Sequence, residues 1–580
     1  MPSSRWRLPQ SDQRTVQALA AALHLGSPAA SVLAHRGFSD PAAVRRFLEP
    51  SLDHLHDPFL MLDMPQAAER LHRAIQASEK ILVYGDYDVD GTASVVILTK
   101  AIELAGGVSA WHVPHRLKDG YGMRPEVVER AAAEGVRLIV SVDTGIRANQ
   151  VVERAAQLGM DVIVTDHHLP DSELPPAAAV LNPNRPGCPY PEKNLCGAGV
   201  AFKLVQALLS RLSWPAAKVR RIEESFLKMA AIATVADVVP LSGENRIIVK
   251  HGLEGLNAVR NPGLRALLDV AGFTGASIPD ARQVAFQIAP RINAAGRMDT
   301  ARAVVELFLT ADSARARDLA RQLHEQNAGR QQIELAIVEA CQSVPVDESA
   351  AALVYYSEDW HRGVLGIVAS RLVERLGRPV FVLGHNPDDG LAQGSGRSIP
   401  AFHLLEALES MPELFVKFGG HEHAAGVTLE PANIGEFRRR FHEYAAARLL
   451  PEDFLRRIDI DAVVELRDLG EQTTGELFRL APFGHGNPPP MLAAANVEVA
   501  ASAPLKEKHL RVTVRQNGRT LVLKAWNFAA RAAEFAPGAR VDVAFQVEPD
   551  AYSAARGYPP WCAVLRDVRA AEEGALGTAV

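Results

Sequence analysis

Three short apolar runs, each ending in aspartate, constrain this chain more than any other feature of it. Ile81-Leu82-Val83-Tyr84-Gly85 leads into Asp86-Tyr87-Asp88-Val89-Asp90-Gly91, residues 138–142 deliver Asp143, and residues 162–165 deliver Asp166-His167-His168. Helical stretches over 92–104 and 149–158 separate them, and a further strand at 108–113 with a helix near 125–134 fits the same alternation. Apolar runs too short to be helices, spaced by helices, read as strands of a parallel sheet. In an open sheet of that kind functional side chains gather at the carboxyl ends of the strands. One acidic strand end is weak evidence, because aspartate also caps helices. Three of them make one site.

The rest of the chain divides by pattern. A length of 580 residues predicts three or four domains. Residues 1–75 read as short helices with loops at Gly37, Pro41, Pro50 and Pro58; the next domain, 76–300, opens with the strand–helix alternation and turns helical from about 199 to 270. A charged amphipathic segment, 300–342, predicts a connecting helix broken only by Gly329, so that 301–345 joins two α/β domains. The second of these, 346–455, opens on the strand 352–356, continues through a helix at 364–376 and a strand at 379–383, and closes on a helix at 433–450. After the hinge A-P-F-G-H-G-N-P-P-P at 481–490 the pattern turns to β. There 510–515 and 520–526 flank Asn517-Gly518, the strongest short hairpin signal. Residues 456–580 are accordingly expected to form a β-barrel with its linker.

The spacing of Asp86, Asp88 and Asp90 brings like charges together, which is unfavourable unless a cation is present. A solvated turn would be the plain alternative. An EF-hand loop also reads D-x-D-x-D-G, but its twelfth position, normally Glu, is Ile97, and a strand precedes it. Carboxylate oxygens with one or two imidazoles suit Mn²⁺ or Mg²⁺ better than zinc. Two such ions form a clamp suited to phosphoryl chemistry. Asp237, in the apolar run A-T-V-A-D-V-V-P, is either a fourth contributor or a helix cap.

In combination and order, D-Y-D-V-D-G, S-V-D-T-G, T-D-H-H and T-V-A-D-V-V-P resemble the successive motifs of the DHH phosphoesterases. G-G-H-E-H-A-A-G at 419–426 is similar to the signature of the DHH-associated domain. R-I-N-A-A-G-R at 291–297 and P-F-G-H-G-N-P at 482–488 resemble a branch of that family that degrades single-stranded DNA. The likeness spans roughly 75–570 and implies a DHH catalytic domain, the DHH-associated α/β domain and a C-terminal OB-fold. It implies that Asp88, Asp90, Asp143, His167 and Asp237 hold two Mn²⁺ or Mg²⁺ ions, with His168 and Asp166 as orienting neighbours or phosphate contacts. Motif I in many relatives begins with histidine where this chain has Tyr84, which leaves Asp86 between ligand and neighbour.

The same resemblance implies a 5′-to-3′ exonuclease of recombination and repair, acting on single-stranded DNA with a 5′ phosphate. Its implied partners are single-strand-binding protein and a RecQ-type helicase. Arg116 and Tyr121 would contact the 5′ end, Arg291 a phosphate oxygen, and Ser395 and Arg397 of a small-residue loop the 5′ phosphate, with His421 nearby. His421 and His423 lack the further ligands a zinc site needs.

Net charge is −6, so composition alone does not announce a nucleic-acid binder. The charge is uneven: residues 501–533 hold seven Lys/Arg against the single acid Glu507. Arg511, Thr513 and Arg515 would line one face of a strand, with Trp526 and Phe528 as candidates for stacking on bases or for core packing. That basic window disfavours the relatives that cut short RNAs or cyclic dinucleotides, and the intact motifs disfavour an inert DNA-binding scaffold. The N-terminus lacks a signal-peptide core, no apolar run approaches membrane-spanning length, and four cysteines form no C-x-x-C pair. A cytoplasmic enzyme is the expectation.

Overall fold

The computed structural model describes residues 4–10, 12–116, 120, 122–275, 277–298, 300–345 and 349–571. The chain forms two compact units, residues 56–239 with 251–456, and residues 1–55 with 240–250 and 457–580. No helix among the described residues is long and apolar enough to cross a membrane.

The first unit contains a five-stranded parallel sheet in the order β2-β1-β3-β4-β5, built from β1 (Lys80–Tyr84), β2 (Val108–His112), β3 (Val136–Val142), β4 (Asp161–Thr165) and β5 (Ala179–Leu181). Its strands are apolar because helices cover both faces, the normal state of a parallel sheet. Register sets the site. Tyr84 lies opposite Ser141 and Val142 opposite Thr165, so the residues that follow, Asp86, Asp143 and Asp166, emerge along one edge. The ladder runs on past the strands: Asp143 N–H donates to the Thr165 carbonyl and Asp166 N–H to that of Leu181, each at 3.0 Å.

α1 (Met64–Gln76) precedes β1, and α2 (Val89–Leu104) follows it. α3 (Pro125–Ala133) and α4 (Asn149–Gln157) flank β3. α5 (Gly197–Leu209) and α6 (Ala216–Ala236) pack against α2, which is buried on nearly every side. That explains why the α2 sequence is apolar all round instead of showing one stripe.

α7 (Ala289–Met298) carries the R-I-N-A-A-G-R motif. The single helix expected over 300–342 is two helices, α8 (Arg302–Leu309) and α9 (Ser313–Ser343). The break falls at Thr310–Asp312, where Asp312 accepts the Ala314 N–H at 2.8 Å as an N-cap. Gly329 sits inside α9, where its missing side chain would meet nothing within 4 Å.

The second α/β layer of this unit is a mixed five-stranded sheet in the order β9-β10-β8-β7-β6, made of β6 (Leu353–Ser357), β7 (Val380–His385), β8 (Ala392–Arg397), β9 (Lys417–Gly420) and β10 (Ala424–Leu429). α10 (Leu365–Leu376) connects β6 to its parallel neighbour β7. Gly394-Ser395-Gly396-Arg397, expected as a loop, is the central strand β8 instead. The glycines are there for close approach: a Cβ on Gly394 would lie 2.1 Å from the Val382 carbonyl, and one on Gly396 2.4 Å from the Phe381 ring.

The other unit is a closed barrel of β11 (Leu492–Leu505), β12 (His509–Gln516), β13 (Arg519–Ala525), β14 (Arg540–Pro549) and β15 (Trp561–Ala570), with β14 pairing back onto β11. The β12–β13 hairpin turns through Asn517 (φ 47°) and Gly518 (φ 78°), both left-handed as such a tight turn requires. Three short helices (Gln13–Leu23, Ser27–His35, Pro41–Leu48) share the barrel's apolar core. A strand not anticipated, Ser4–Arg7, pairs with Arg456–Asp459. Within this unit Arg246 is 1% exposed, lies 3.7 Å over the Phe47 ring, and donates to the carbonyls of Phe47, Leu480 and Ala481 at 2.6–2.8 Å.

Candidate metal centre

Four stretches of chain deliver acidic and imidazole groups to one place. Asp88 caps α2, its Oδ1 accepting the Gly91 N–H at 2.9 Å. Asp90 lies in the first turn of that helix, with its two oxygens accepting the N–H groups of Gly197 (2.6 Å) and Ala198 (2.7 Å) at the start of α5. Asp143 follows β3 with a left-handed φ of 58°. His167 follows β4, and its Nε2 stands 3.2 Å from Asp143, 3.7 Å from Asp90 and 3.7 Å from Asp237. The ligand atoms of Asp90, His167 and Asp237 lie within 4.8 Å of one another, as do those of Asp86, Asp88 and Asp143, and those of Asp143, His167 and His168. Two adjoining triads, one closed by Asp86, match a pair of ions better than one.

Asp237 is the terminal cap of α6, with the β-branched Val238 in a left-handed conformation (φ 60°) just after it. Neither feature is comfortable. A helix C-terminus carries partial negative charge, and a valine with positive φ is a backbone outlier. A carboxylate held there answers to something other than helix capping.

The electrostatics point the same way. Burial, and then the neighbouring Asp88, push the Asp86 carboxyl up to about 7. Burial, Asp90 and Asp88 push Asp237 up to about 9. Asp88 and Asp143 are also raised, first by burial and then by Asp90. Burial lowers the pKa of His167, favouring the neutral imidazole that a metal needs. Asp166 is spent on structure: it accepts from His168 Nδ1 at 2.7 Å and from the N–H groups of Ile146, His167 and His168. Burial lowers the His168 pKa, but that Nδ1 bond and the charges of Asp166, Asp90 and Asp88 together raise it.

A divalent cation fits these residues on chemical grounds. Asp86 Oδ1 and Asp237 Oδ2 are buried without a hydrogen-bond partner among the described residues, a costly state that a cation relieves. Oxygen donors with one or two imidazoles suit Mn²⁺ or Mg²⁺.

The expected substrate residues are brought together unevenly. Arg116 lies 5.1 Å over the ring of Tyr87, inside motif I, and Tyr121 falls outside the described residues. Arg397 and Ser395 sit on β8 facing the start of α10: a Cβ on Gly366 would be 3.1 Å from Arg397 and 3.5 Å from Ser395. Arg291 bonds instead to the Gln287 carbonyl and, at 3.2 Å, to His324 of α9. His421 and His423 occupy the exposed turn between β9 and β10.

On the barrel, Arg511 and Arg515 are exposed and Leu510, Val512 and Val514 are buried, the expected alternation. The positive face is weaker than composition suggests, because Arg515 pairs with Glu498 (2.6 Å), Lys524 with Asp550 (2.7 Å) and Arg531 with Asp567 (2.8 Å). Trp526 is 42% exposed beside His509, whereas Phe528 is 4% exposed in the core and cannot stack on a base.

Several supporting groups escaped the sequence reading. The amides of Gly197 and Ala198 hold Asp90, and a Cβ on Gly197 would fall 2.6 Å from that of Asp143. The small-residue run C-G-A-G opening a helix is the signal that could have found them. Asn293 of the R-I-N-A-A-G-R motif accepts the Val89 N–H at 3.2 Å, capping α2 from another helix. Asn182 and Asn184 donate to the carbonyls of His168 and His167, each at 2.8 Å.

The comparisons with known proteins agree with this architecture. Residues 80–234 match the DHH family, N-terminal domain, residues 349–447 the DHHA1 domain and residues 460–557 the RecJ OB domain. The single-stranded-DNA-specific exonuclease RecJ of Bacillus subtilis is 37% identical over 547 residues, covering 93% of this chain and 68% of its own. Crystal structures of RecJ from Thermus thermophilus with Mn²⁺ (TM-score 0.82, 34% identity, 98% of this chain and 80% of that one) and with Mg²⁺ (TM-score 0.77, 32% identity, 98% and 79%) superpose on the fold. The chain belongs to the RecJ family of single-stranded-DNA-specific exonucleases within the DHH phosphoesterases.

Proposed function

We propose that this protein hydrolyses single-stranded DNA from the 5′ end with two bound Mn²⁺ or Mg²⁺ ions. The observation that carries the reading is the convergence of Asp86, Asp88, Asp90, Asp143, His167 and Asp237, with buried carboxylate oxygens left unpartnered. In this reading Asp88, Asp90, Asp143, His167 and Asp237 are the ligands, and Asp86 joins Asp88 and Asp143 in the second triad. Bound there, the ions supply positive charge to the phosphate oxygens and ease deprotonation of the attacking water.

The protein's own groups do the rest. Asp166 accepts from Nδ1 of His168 and fixes its ring, and in the protonated form, which the raised pKa favours, Nε2 donates to a phosphate oxygen. Arg116, Ser395 and Arg397 hold the 5′ end, with Tyr121, Arg291 and His421 as further strand contacts. The exposed Arg511 and Trp526 of the barrel bind DNA by charge and stacking.

Single-strand selectivity follows if the strand threads a cleft too narrow for a duplex. The domains used are residues 76–300 for DHH chemistry, 301–345 as connector, 346–455 for the DHH-associated part and 456–580 for the OB-fold, with 1–75 preceding them. The setting is cytoplasmic recombination and repair, with single-strand-binding protein and a RecQ-type helicase supplying the strand.

The test is cleavage of 5′- and 3′-labelled single strands, with and without chelator. Mononucleotide release from the 5′ label that chelator and Asp143→Ala both abolish is expected. Cleavage that survives either treatment refutes the assignment.

A further inference from the structure

The strand Ser4–Arg7 and its partner Arg456–Asp459 set four arginines, Arg5, Arg7, Arg456 and Arg457, against the single acid Asp459. In a chain with a net charge of −6 that is a local reversal of sign. All four are exposed. Among the described residues only Arg457 has a carboxylate partner, Asp459 at 2.9 Å, and that pair is open to solvent, where it contributes little. Other arginines of the same unit are matched: Arg515, Arg531, Arg566 and Arg569 each face a carboxylate. Arg5, Arg7 and Arg456 do not.

The backbone that carries them is fixed. Trp6, between the first two arginines, points inward at 9% exposure and packs with Ile458 and Ile460 on Ala493 and Ala544 of the barrel. Its Nε1 donates to the buried Asp567 at 2.7 Å, the Ser4 hydroxyl donates to the same carboxylate, and the Arg569 guanidinium lies 4.5 Å over its ring. The Ile460 N–H donates to the Arg7 carbonyl at 2.9 Å and closes the ribbon. Alternation along the strand then puts Arg5 and Arg7 on the opposite face, roughly 7 Å apart. Together with Leu8, Pro9, Gln10 and Arg457 they line a surface cavity of about 520 Å³.

Guanidiniums repeated along a fixed strand suit a chain of phosphates better than one isolated anion, because their spacing approximates that of neighbouring phosphates in an extended strand and each fork takes two oxygens. The one aromatic ring here is buried, so the ribbon has nothing on which a base could stack, and contact would be to the backbone alone. An acidic peptide carries charge of the same sign, but the substrate proposed above already brings a polyphosphate chain to this protein.

We propose that this ribbon is a separate DNA contact, holding the backbone of single-stranded DNA without regard to sequence through Arg5, Arg7 and Arg457. It rests on the single-stranded-DNA reading above but not on the metal chemistry, so binding tests it without cleavage.

The experiment follows the fluorescence anisotropy of a labelled oligothymidylate with the full-length protein in chelator, over a series of salt concentrations. Each phosphate contact to a single strand adds about 0.7 to the slope of log K against log salt. Arg5→Ala/Arg7→Ala should therefore flatten the slope by about 1.4 and weaken binding about 25-fold near 0.1 M salt. Arg5→Lys/Arg7→Lys should keep most of the slope, since the charges remain, and thermal unfolding of both variants should match the parent. Arg220→Ala/Arg439→Ala removes the same charge from arginines already paired with Glu224 and Glu443 and should bind as the parent does. An unchanged slope in Arg5→Ala/Arg7→Ala, an equal change in the charge-matched control, or a glutamate-rich peptide that binds the ribbon as tightly as DNA would overturn the proposal. A parent that does not bind the strand at all would instead refute the single-stranded-DNA reading itself.

Discussion

Removing Asp237 should stabilise the metal-free protein while disabling it, and the size of the effect should depend on pH. Burial with Asp90 and Asp88 raises this carboxyl from an ordinary 3.8 to about 9. A folded-state pKa above the unfolded one contributes stability below the unfolded value, and that contribution is lost as pH rises through the folded value. Holding the proton near pH 8 costs about 6 kcal/mol relative to the unfolded chain, and near pH 5 about 2 kcal/mol, at roughly 1.4 kcal/mol per pH unit. Asp237→Asn lacks this term. In chelator-treated samples, denaturant unfolding should show the variant gaining on the parent by up to about 4 kcal/mol between pH 5 and pH 8. Added Mn²⁺ should reverse the order, because binding to the native state stabilises the parent more than a variant short of one ligand. A gap between the two proteins that stays flat with pH would refute the argument.

Other perturbations separate geometry from stability. Gly197→Ala drives a methyl to 2.6 Å from the Asp143 Cβ and disturbs the amides that hold Asp90, so cleavage should fall about 100-fold with the far-UV circular dichroism unchanged. Asp166→Asn weakens the hold on the His168 ring, and the cleavage rate should drop about 10- to 100-fold. Arg246→Leu strips the carbonyls of Phe47, Leu480 and Ala481 of their donor and should cost about 3–5 kcal/mol, seen as a lower melting temperature at preserved activity per folded molecule.

What could be read from the chain was what local pattern controls. The catalytic strands announce themselves by apolar runs that stop at aspartate, and sheet register then places Asp86, Asp143 and Asp166 on one edge without further information. The hairpin at Asn517-Gly518 follows from the two left-handed residues its turn needs. Tertiary packing decided the rest. Gly394 and Gly396 look like loop residues because glycine disfavours strands, but the carbonyl of Val382 and the ring of Phe381 leave no room for a side chain in β8. The break before α9 turned on a capping Asp312, a weaker local cue than a glycine. The seven basic residues at 501–533 promised more charge than the surface delivers, since Glu498, Asp550 and Asp567 come from other strands and loops of the barrel unit.

The same distinction ranks the proposed ligands by how much each would depend on an ion. Asp88 and Asp90 lie at the N-terminus of α2, where the helix dipole and the amides of Gly91, Gly197 and Ala198 offset part of the cost of burying their carboxylates. Asp237 sits at the C-terminus of α6 with an unpartnered buried oxygen and a strained valine behind it. Among the described residues no hydrogen bond compensates the charge on that oxygen, and the neutral ring of His167 stands 3.7 Å from it. The scaffold therefore holds one wall of the centre ready and leaves the other to be secured by the cation. On that basis the triad of Asp90, His167 and Asp237 should bind its ion more tightly as pH rises toward about 9, because Asp237 must first give up its proton.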